Sequence, residues 1–234
     1  MRILQKGFNY SQDGPGNRLV YHLQGCNFAC KWCSNADSIP KENPNAKDYT
    51  VDEIFDEIAR SRMMFFDGGG VTFTGGEASL QSEELIELLK LCKSNSVNTC
   101  IESNASRIEL REIAEYIDYL IVDIKHYDSE LHKKWTGVDL ENVKANIEFF
   151  LESGRQIHIR IPVINGVNAD PHGFAEYFRN LNTDSAVFEF LAYHEFGKDK
   201  WQGKYQIENG FVSAGTINEF RTVFENNGLK TVTT

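Results

Sequence analysis

The sequence predicts an α/β fold built on a parallel sheet that curls into a barrel with a polar lumen. Two observations carry this. Apolar runs rich in β-branched and aromatic residues alternate with amphipathic helical patterns, about six times along the chain. That alternation implies parallel strands joined by crossover helices. In two of the runs, moreover, one strand face is polar. In "QIHIRIPV" Ile157, Ile159 and Ile161 share one face and His158, Arg160 and Pro162 the other. In "IVDIK" Asp123 and Lys125 oppose Val122 and Ile124. A flat sheet covered by helices on both sides would be apolar on both faces. An antiparallel sheet with one wet face is the alternative, and the intervening helices speak against it.

The strand-like runs are "RLVYHLQ" (18–24), "GVTFTG" (70–75), "VNTCIES" (97–103), "YLIVDIK" (119–125), "QIHIRIPV" (156–163) and "AVFEFLAY" (186–193). The helical patterns lie between them. Thr50 and Glu53 form a capping-box signature ahead of the stripe Val51, Ile54, Phe55 and Ile58. Leu85, Leu88, Leu89 and Cys92 make a second stripe. Val143, Ile147, Phe150 and Leu151 make a third, closed by Gly154. Phe174, Tyr177, Phe178 and Leu181 form a fourth. Ile217, Phe220 and Phe224 lie on a last helix that Gly228 ends. Residues 34–49 are a polar, proline-containing loop. A length of 234 residues fits a single domain, 1–234, and no repeat or linker divides it.

Bulk properties narrow the class. No apolar run is long enough to span a bilayer and the first residues lack a signal-peptide core, so a cytoplasmic protein is expected. The formal net charge is −10 with no basic block, which argues against a nucleic-acid partner. Five cysteines is an odd count, and three of them crowd one loop. In a reducing compartment that signals metal or redox chemistry, not a disulfide framework.

The loop is "GCNFACKWCSN", with Cys26, Cys30 and Cys33 in C-x3-C-x2-C spacing after the first strand-like run. Structural zinc needs four ligands, so a distant His22 or Cys100 would have to complete the set. A thioredoxin-like pair would use Cys30 and Cys33 and leave Cys26 without a role. A [4Fe-4S] cubane normally takes four thiolates. Held by three, it keeps one iron open for a small-molecule ligand, which would account for the absent fourth cysteine. A zinc knuckle or plain buried thiols remain the bland alternatives. Cys92 on its helix stripe and Cys100 within a strand read as small buried hydrophobes, with Cys100 within possible reach of the site.

"CNFACKWC" resembles the cluster loop of radical S-adenosylmethionine (SAM) enzymes, whose pattern is C-x3-C-x-aromatic-C. "DGPGNR" (13–18), "GGGVTFTGGEASLQ" (68–81), "DIKHYD" (123–128) and "YHEFGKDKW" (193–201) are similar to the activating enzymes of glycyl radical enzymes, the pyruvate formate-lyase type in particular. The resemblance covers nearly the whole chain. It implies a partial (β/α)6 TIM-like barrel without a ferredoxin-like insertion. Cys26, Cys30 and Cys33 would hold one [4Fe-4S] cluster, with SAM chelating the open iron. Trp32, Ser34 and Asn35 would lie by the nucleoside, and Gly75, Gly76 and Glu77 by the SAM amino group. Asp123, Ile124, Lys125, Arg160 and His194 would complete the cofactor contacts. In relatives an Asp-Thr pair helps to bind a monovalent cation; here Glu102 and Ser103 stand there with Asp123. Asp13, in what reads as a flexible Gly14, Pro15 and Gly16 turn, would seat the partner's glycine loop.

The chain departs from the family at Asn17, at Ser34 where relatives often carry His, and at "ESNA" in place of "DTNG". His22, His126, His132, His158 and His172 read as structural. The implied activity is reductive cleavage of SAM to a 5′-deoxyadenosyl radical that installs a glycyl radical on a partner enzyme. The electron donor would be reduced flavodoxin or ferredoxin. The competing expectations are a short radical SAM enzyme acting on a small molecule or nucleotide, as a 7-deazaguanine synthase or an anaerobic ribonucleotide reductase activase does, and a non-enzymatic zinc or iron–sulfur module.

Overall fold

The computed structural model describes residues 1–233. Its eight strands are β1 (Arg2–Tyr10), β2 (Asn17–Leu23), β3 (Lys47–Asp48), β4 (Gly70–Gly75), β5 (Thr99–Ser103), β6 (Tyr119–Asp123), β7 (Ile157–Val163) and β8 (Ala186–Ala192). Among the described residues seven α-helices accompany them: α1 (Val51–Arg60), α2 (Ser82–Ser94), α3 (Leu110–Ile113), α4 (Ser129–Thr136), α5 (Glu141–Glu152), α6 (Pro171–Phe178) and α7 (Ala214–Asn226). The strand order is β3-β1-β2-β4-β5-β6-β7-β8, so the sheet is open, with β3 and β8 at its edges. The six strand-like runs of the sequence are β2 and β4 to β8. This is the partial, mostly parallel barrel sheet that the sequence predicts.

Two strands escape the sequence pattern. β1 lies antiparallel to β2, and its register shifts between Ile3 and Gln5. It is largely exposed from Gln5 to Phe8, so it lacks the apolar alternation that marks a half-buried strand. β3 is a two-residue edge strand paired with the start of β1.

The chain forms two compact units. Residues 1–27, 37–103 and 107–121 make the first; residues 28–36, 104–106 and the described residues from 122 onward make the second. In the first unit β2 pairs in parallel with β4, and β4 with β5. The capping box of α1 is complete: Glu53 N–H donates to Thr50 Oγ1 at 3.2 Å and Thr50 N–H to Glu53 Oε2 at 2.8 Å. Such a cap contributes about 1 kcal/mol. Ile54 and Ile58 bury the apolar stripe of α1, and Leu85, Leu88, Leu89 and Cys92 that of α2.

In the second unit β7 and β8 pair in parallel over their full length. α6 and α7 pack an aromatic core around β8. Phe178 meets Phe188 at 4.7 Å between ring centroids, and Phe190 meets Phe224 at 4.8 Å. Aromatic pairs of this kind contribute roughly 0.5–1.5 kcal/mol beyond area burial. α6 starts with Pro171 behind the Asp170 cap and ends at Phe178, so Leu181 lies beyond the helix assigned to it. α4 is a helix that the sequence pattern does not reveal: its eight residues bury only His132 and Thr136.

Candidate functional site

In the first unit, the chain leaving β2 and the chain leaving β4 meet backbone to backbone. Gly76 N–H donates to the Leu23 carbonyl at 2.9 Å and Glu77 N–H to the Gly25 carbonyl at 2.8 Å. A Cβ on Gly76 would stand 1.9 Å from the Gly25 oxygen, and one on Gly75 2.3 Å from the Leu23 nitrogen. Both glycines are therefore required by close approach of main chain. They fix the residues immediately before Cys26.

Glu77 is fully buried and caps the short turn Ala78–Gln81. Its Oε1 accepts from Ser79 N–H, from the Ser79 hydroxyl at 2.6 Å and from the Ser103 hydroxyl at 2.8 Å. Glu102 accepts from the Thr74 hydroxyl at 2.7 Å. Of the candidate cation ligands, Glu102 and Ser103 thus engage different partners of β4 and its following turn.

Asp13 sits in a pinned turn, a correction to the flexible turn expected from its glycines. Its carbonyl accepts from Thr72 Oγ1 at 2.7 Å, and its carboxylate takes a hydrogen bond from Asn9. Thr72 lies near the start of β4, at the other end of the strand from Gly75. Arg18 holds the turn from beneath. Fully buried, it donates to Thr72 Oγ1 at 2.7 Å, the Pro15 carbonyl at 3.0 Å, Asn98 Oδ1 at 2.9 Å and the Val71 carbonyl at 2.8 Å. Burial lowers its pKa, and the neighbourhood of Cys100, Tyr119, Asp118 and Asp13 works against that shift.

In the second unit, the segment carrying Cys30 and Cys33 is clamped from two sides. From the end of α4, the carbonyls of Thr136 and Trp135 accept from Ala29 N–H at 2.8 Å and Lys31 N–H at 3.1 Å. Phe28 packs edge-on to the buried His132, 5.4 Å between centroids. From the segment after β8, Trp201 Nε1–H donates to the Cys33 carbonyl at 3.0 Å and Lys200 Nζ to Asn35 Oδ1 at 3.1 Å. A Cβ on Gly197 would fall 2.1 Å from the Ser34 oxygen. "YHEFGKDKW" thus has a local physical role: it grips the chain around the last cysteine. Trp32 is buried, and Cys26, Cys30 and Cys33 are not joined in disulfides.

The end of β6 brings Asp123 and Lys125 together, Nζ to Oδ2 at 2.8 Å. Burial alone would lower the Lys125 pKa. The Asp123 carboxylate and the thiols of Cys30 and Cys33 outweigh it and hold the ammonium well above its ordinary range. Ile124 N–H donates to the Arg160 carbonyl at 3.0 Å. Arg160 Nε–H donates to Glu189 Oε2 at 2.7 Å. The sequence pattern does not single out Glu189; its signal is a lone acid inside the apolar run 186–193. His194 stacks on Phe196 with centroids 4.5 Å apart, at the exposed end of β8. His126 and His132, which the sequence reads as structural, engage nearby backbone. His126 Nδ1 accepts from Asp128 N–H and its Nε2 lies 3.2 Å from the Val167 carbonyl; His132 Nδ1 lies 2.8 Å from that of Val138.

An open, mostly parallel α/β sheet with a three-cysteine loop after its first parallel strand defines the class. Residues 20–178 match the Radical SAM superfamily, and the chain belongs to that superfamily. Membership implies SAM and a [4Fe-4S] cluster, and the chain is an enzyme of the radical SAM activating-enzyme type. The pyruvate formate-lyase-activating enzyme of Staphylococcus epidermidis is 33% identical over 211 residues, covering 84% of each chain. The 4-hydroxyphenylacetate decarboxylase activating enzyme of Clostridioides difficile is 30% identical over 287 aligned positions, covering 93% of this chain and 90% of the relative. The crystal structure of a domain of pyruvate-formate lyase-activating enzyme from Bacteroides vulgatus superposes with a TM-score of 0.59 at 30% identity. It covers 70% of this chain and 98% of that one. Among the described residues no helix is long and apolar enough to cross a membrane.

Proposed function

We propose that the chain is a single-domain cytoplasmic activase that installs a glycyl radical on a partner enzyme of the pyruvate formate-lyase type. The observation that carries this is the grip of the "YHEFGKDKW" segment on the cysteine loop, because it gives the most specific part of the family resemblance a physical task. The donor set fits an iron–sulfur cluster. Cys26, Cys30 and Cys33 are soft sulfur donors outside any disulfide, on a main chain pinned at Gly25, Ala29, Lys31 and Cys33.

When bound, the cluster and SAM supply one-electron cleavage of the sulfonium, giving methionine and a 5′-deoxyadenosyl radical that takes a hydrogen atom from the partner's glycine. Cys26, Cys30 and Cys33 hold the cluster. Lys125, kept charged by Asp123, and Arg160 meet the carboxylate of the methionine moiety. Gly75, Gly76 and Glu77 lie at its amino group. Trp32, Ser34, Asn35, Ile124 and His194 line the remainder of the cofactor. Glu102, Ser103 and Asp123 are the candidates for a monovalent cation. Asp13 contacts the partner's peptide, and the electron comes from reduced flavodoxin or ferredoxin.

The test is label transfer. Reconstituted enzyme is reduced with dithionite and mixed with SAM and a partner peptide deuterated at the glycine α-carbon. Deuterium is expected in 5′-deoxyadenosine, and the alanine counterpart should give none. SAM cleavage at the same rate without any glycyl partner, and no label from any candidate, would favour a small-molecule radical SAM enzyme.

A further inference from the structure

A buried cluster on β7 and β8 joins Arg160 to Glu189, a residue to which the sequence pattern gives no role. The parallel register places Arg160 opposite Glu189. His158, two residues before Arg160, shares its strand face. Glu189 Oε2 lies 2.7 Å from Arg160 Nε and 3.1 Å from His158 Nε2, the latter off the line of a hydrogen bond. The carboxylate is only 4% exposed and the guanidinium 8%. A carboxylate withdrawn this far from water persists only with compensating partners. Strand register supplies them.

The geometry has a directional consequence. A guanidinium is planar and rigid, so a bond at Nε fixes the plane in which its terminal N–H donors lie. The other end of the same residue is also held, since its carbonyl accepts from Ile124 N–H between Asp123 and Lys125. Arg160 is therefore set at both backbone and side chain, in register with the Asp123 and Lys125 pair.

We infer that Glu189 is a positioning residue: it orients the Arg160 guanidinium toward the SAM carboxylate. This rests on the place given to Arg160 in the proposed function. An ion pair that merely holds two strands together would affect stability and leave ligand affinity alone.

The experiment measures the SAM dissociation constant of reconstituted enzyme by equilibrium dialysis, together with iron content and melting temperature. Glu189→Gln keeps the shape and one acceptor but removes the charge. It is expected to weaken SAM about tenfold, the scale of one misdirected charge-assisted hydrogen bond, with iron content unchanged. Glu189→Asp keeps the charge, draws it back by one methylene, and should give a smaller loss; it also serves if the Gln variant fails to fold. Arg160→Ala should weaken SAM at least as much, and Glu189→Gln in that background should add less than about twofold, since Glu189 acts only through Arg160. Unchanged SAM affinity in both Glu189 variants, with Arg160→Ala still impaired, overturns the positioning role and leaves the proposed function standing. Independent, multiplicative losses in the double variant also overturn it. Unchanged affinity in Arg160→Ala removes Arg160 from the cofactor contacts, and the positioning role falls with it.

Discussion

Trp201 donates its indole N–H to the carbonyl of Cys33 at 3.0 Å, and so ties the last thiol of the cysteine loop to the chain beyond β8. Trp201→Phe keeps the ring and removes the donor. One hydrogen bond is worth about 1 kcal/mol net, so melting should fall by only a few degrees. Iron loss to a chelator should quicken several-fold. Trp135→Phe is the control, because its backbone carbonyl bonds Lys31 N–H and a Phe ring keeps the aromatic face over which the Lys31 ammonium lies. Gly197→Ala is more severe, as its Cβ would collide with the Ser34 carbonyl. Equal chelation rates in all variants would show that the grip is irrelevant to cluster retention.

Anaerobic reconstitution of the parent chain should yield about four irons and four sulfides, as a cubane holds. Cys30→Ala should abolish the cluster and Cys92→Ala should not. Burial pushes the Cys92 thiol up to about 12, so it stays protonated and unreactive at neutral pH. Iron and sulfide assays on the two variants decide this; tightly bound zinc in the parent would count against it.

Lys125→Ala and His194→Ala should retain the cluster and bind SAM roughly 10- to 150-fold more weakly, which corresponds to about 1.5–3 kcal/mol for a lost charge-assisted contact. Equilibrium dialysis is the measurement. Unchanged affinity in both would remove the end of β6 and the end of β8 from the cofactor contacts.

Arg18→Lys keeps a buried charge but loses the planar fork that serves Thr72, Pro15, Asn98 and Val71 together. Several acceptors lose their donor, so a loss of about 2–4 kcal/mol is expected in urea unfolding. A midpoint unchanged from the parent would refute this account of the turn.

Acid should destabilise the fold through two histidines. Burial holds both His126 and His132 below the usual histidine range. A depressed folded pKa gives a contribution that is complete above the unfolded value near 6.5 and is lost as pH falls through the folded value. His126 Nδ1 must stay unprotonated to accept from Asp128 N–H. The urea midpoint should be level from about pH 7 to 8 and decline below about 6.5. His126→Asn, whose Oδ1 can accept in place of Nδ1, should flatten part of that decline. An identical slope in parent and variant would exclude His126 as a source.

Six strands were legible because each is buried on at least one face and carries β-branched or aromatic residues in short runs. β1 was not, because four of its middle residues are exposed and leave no period to read. α4 was obscured for a related reason: its burial rests on His132 and Thr136 and not on an apolar stripe. The cysteine loop was legible from spacing alone, and the polar ends of β6 and β7 from strand alternation. Glu189 and the clamp at Trp201 were not. Strand register and long-range hydrogen bonds pair residues by topology, and a single sequence does not contain the pairing. Gly75 and Gly76 show the converse: their place was legible, but the main-chain contact that demands glycine appears only with the structure.

The reach of the Trp201 contact also bears on how the protein is made. Donor and acceptor are 168 residues apart. At about 5–20 residues per second, a ribosome needs roughly 10–30 s to travel from one to the other. Throughout that interval Cys30 and Cys33 have left or are leaving the exit tunnel without their grip. A cluster-loading machinery would therefore meet a finished site only once the chain has emerged as far as Trp201. Oxidants, by contrast, have access to the bare thiols from the start, so oxygen present during synthesis should reduce the fraction of chains that can later be loaded more than the same oxygen applied to the folded, unloaded protein.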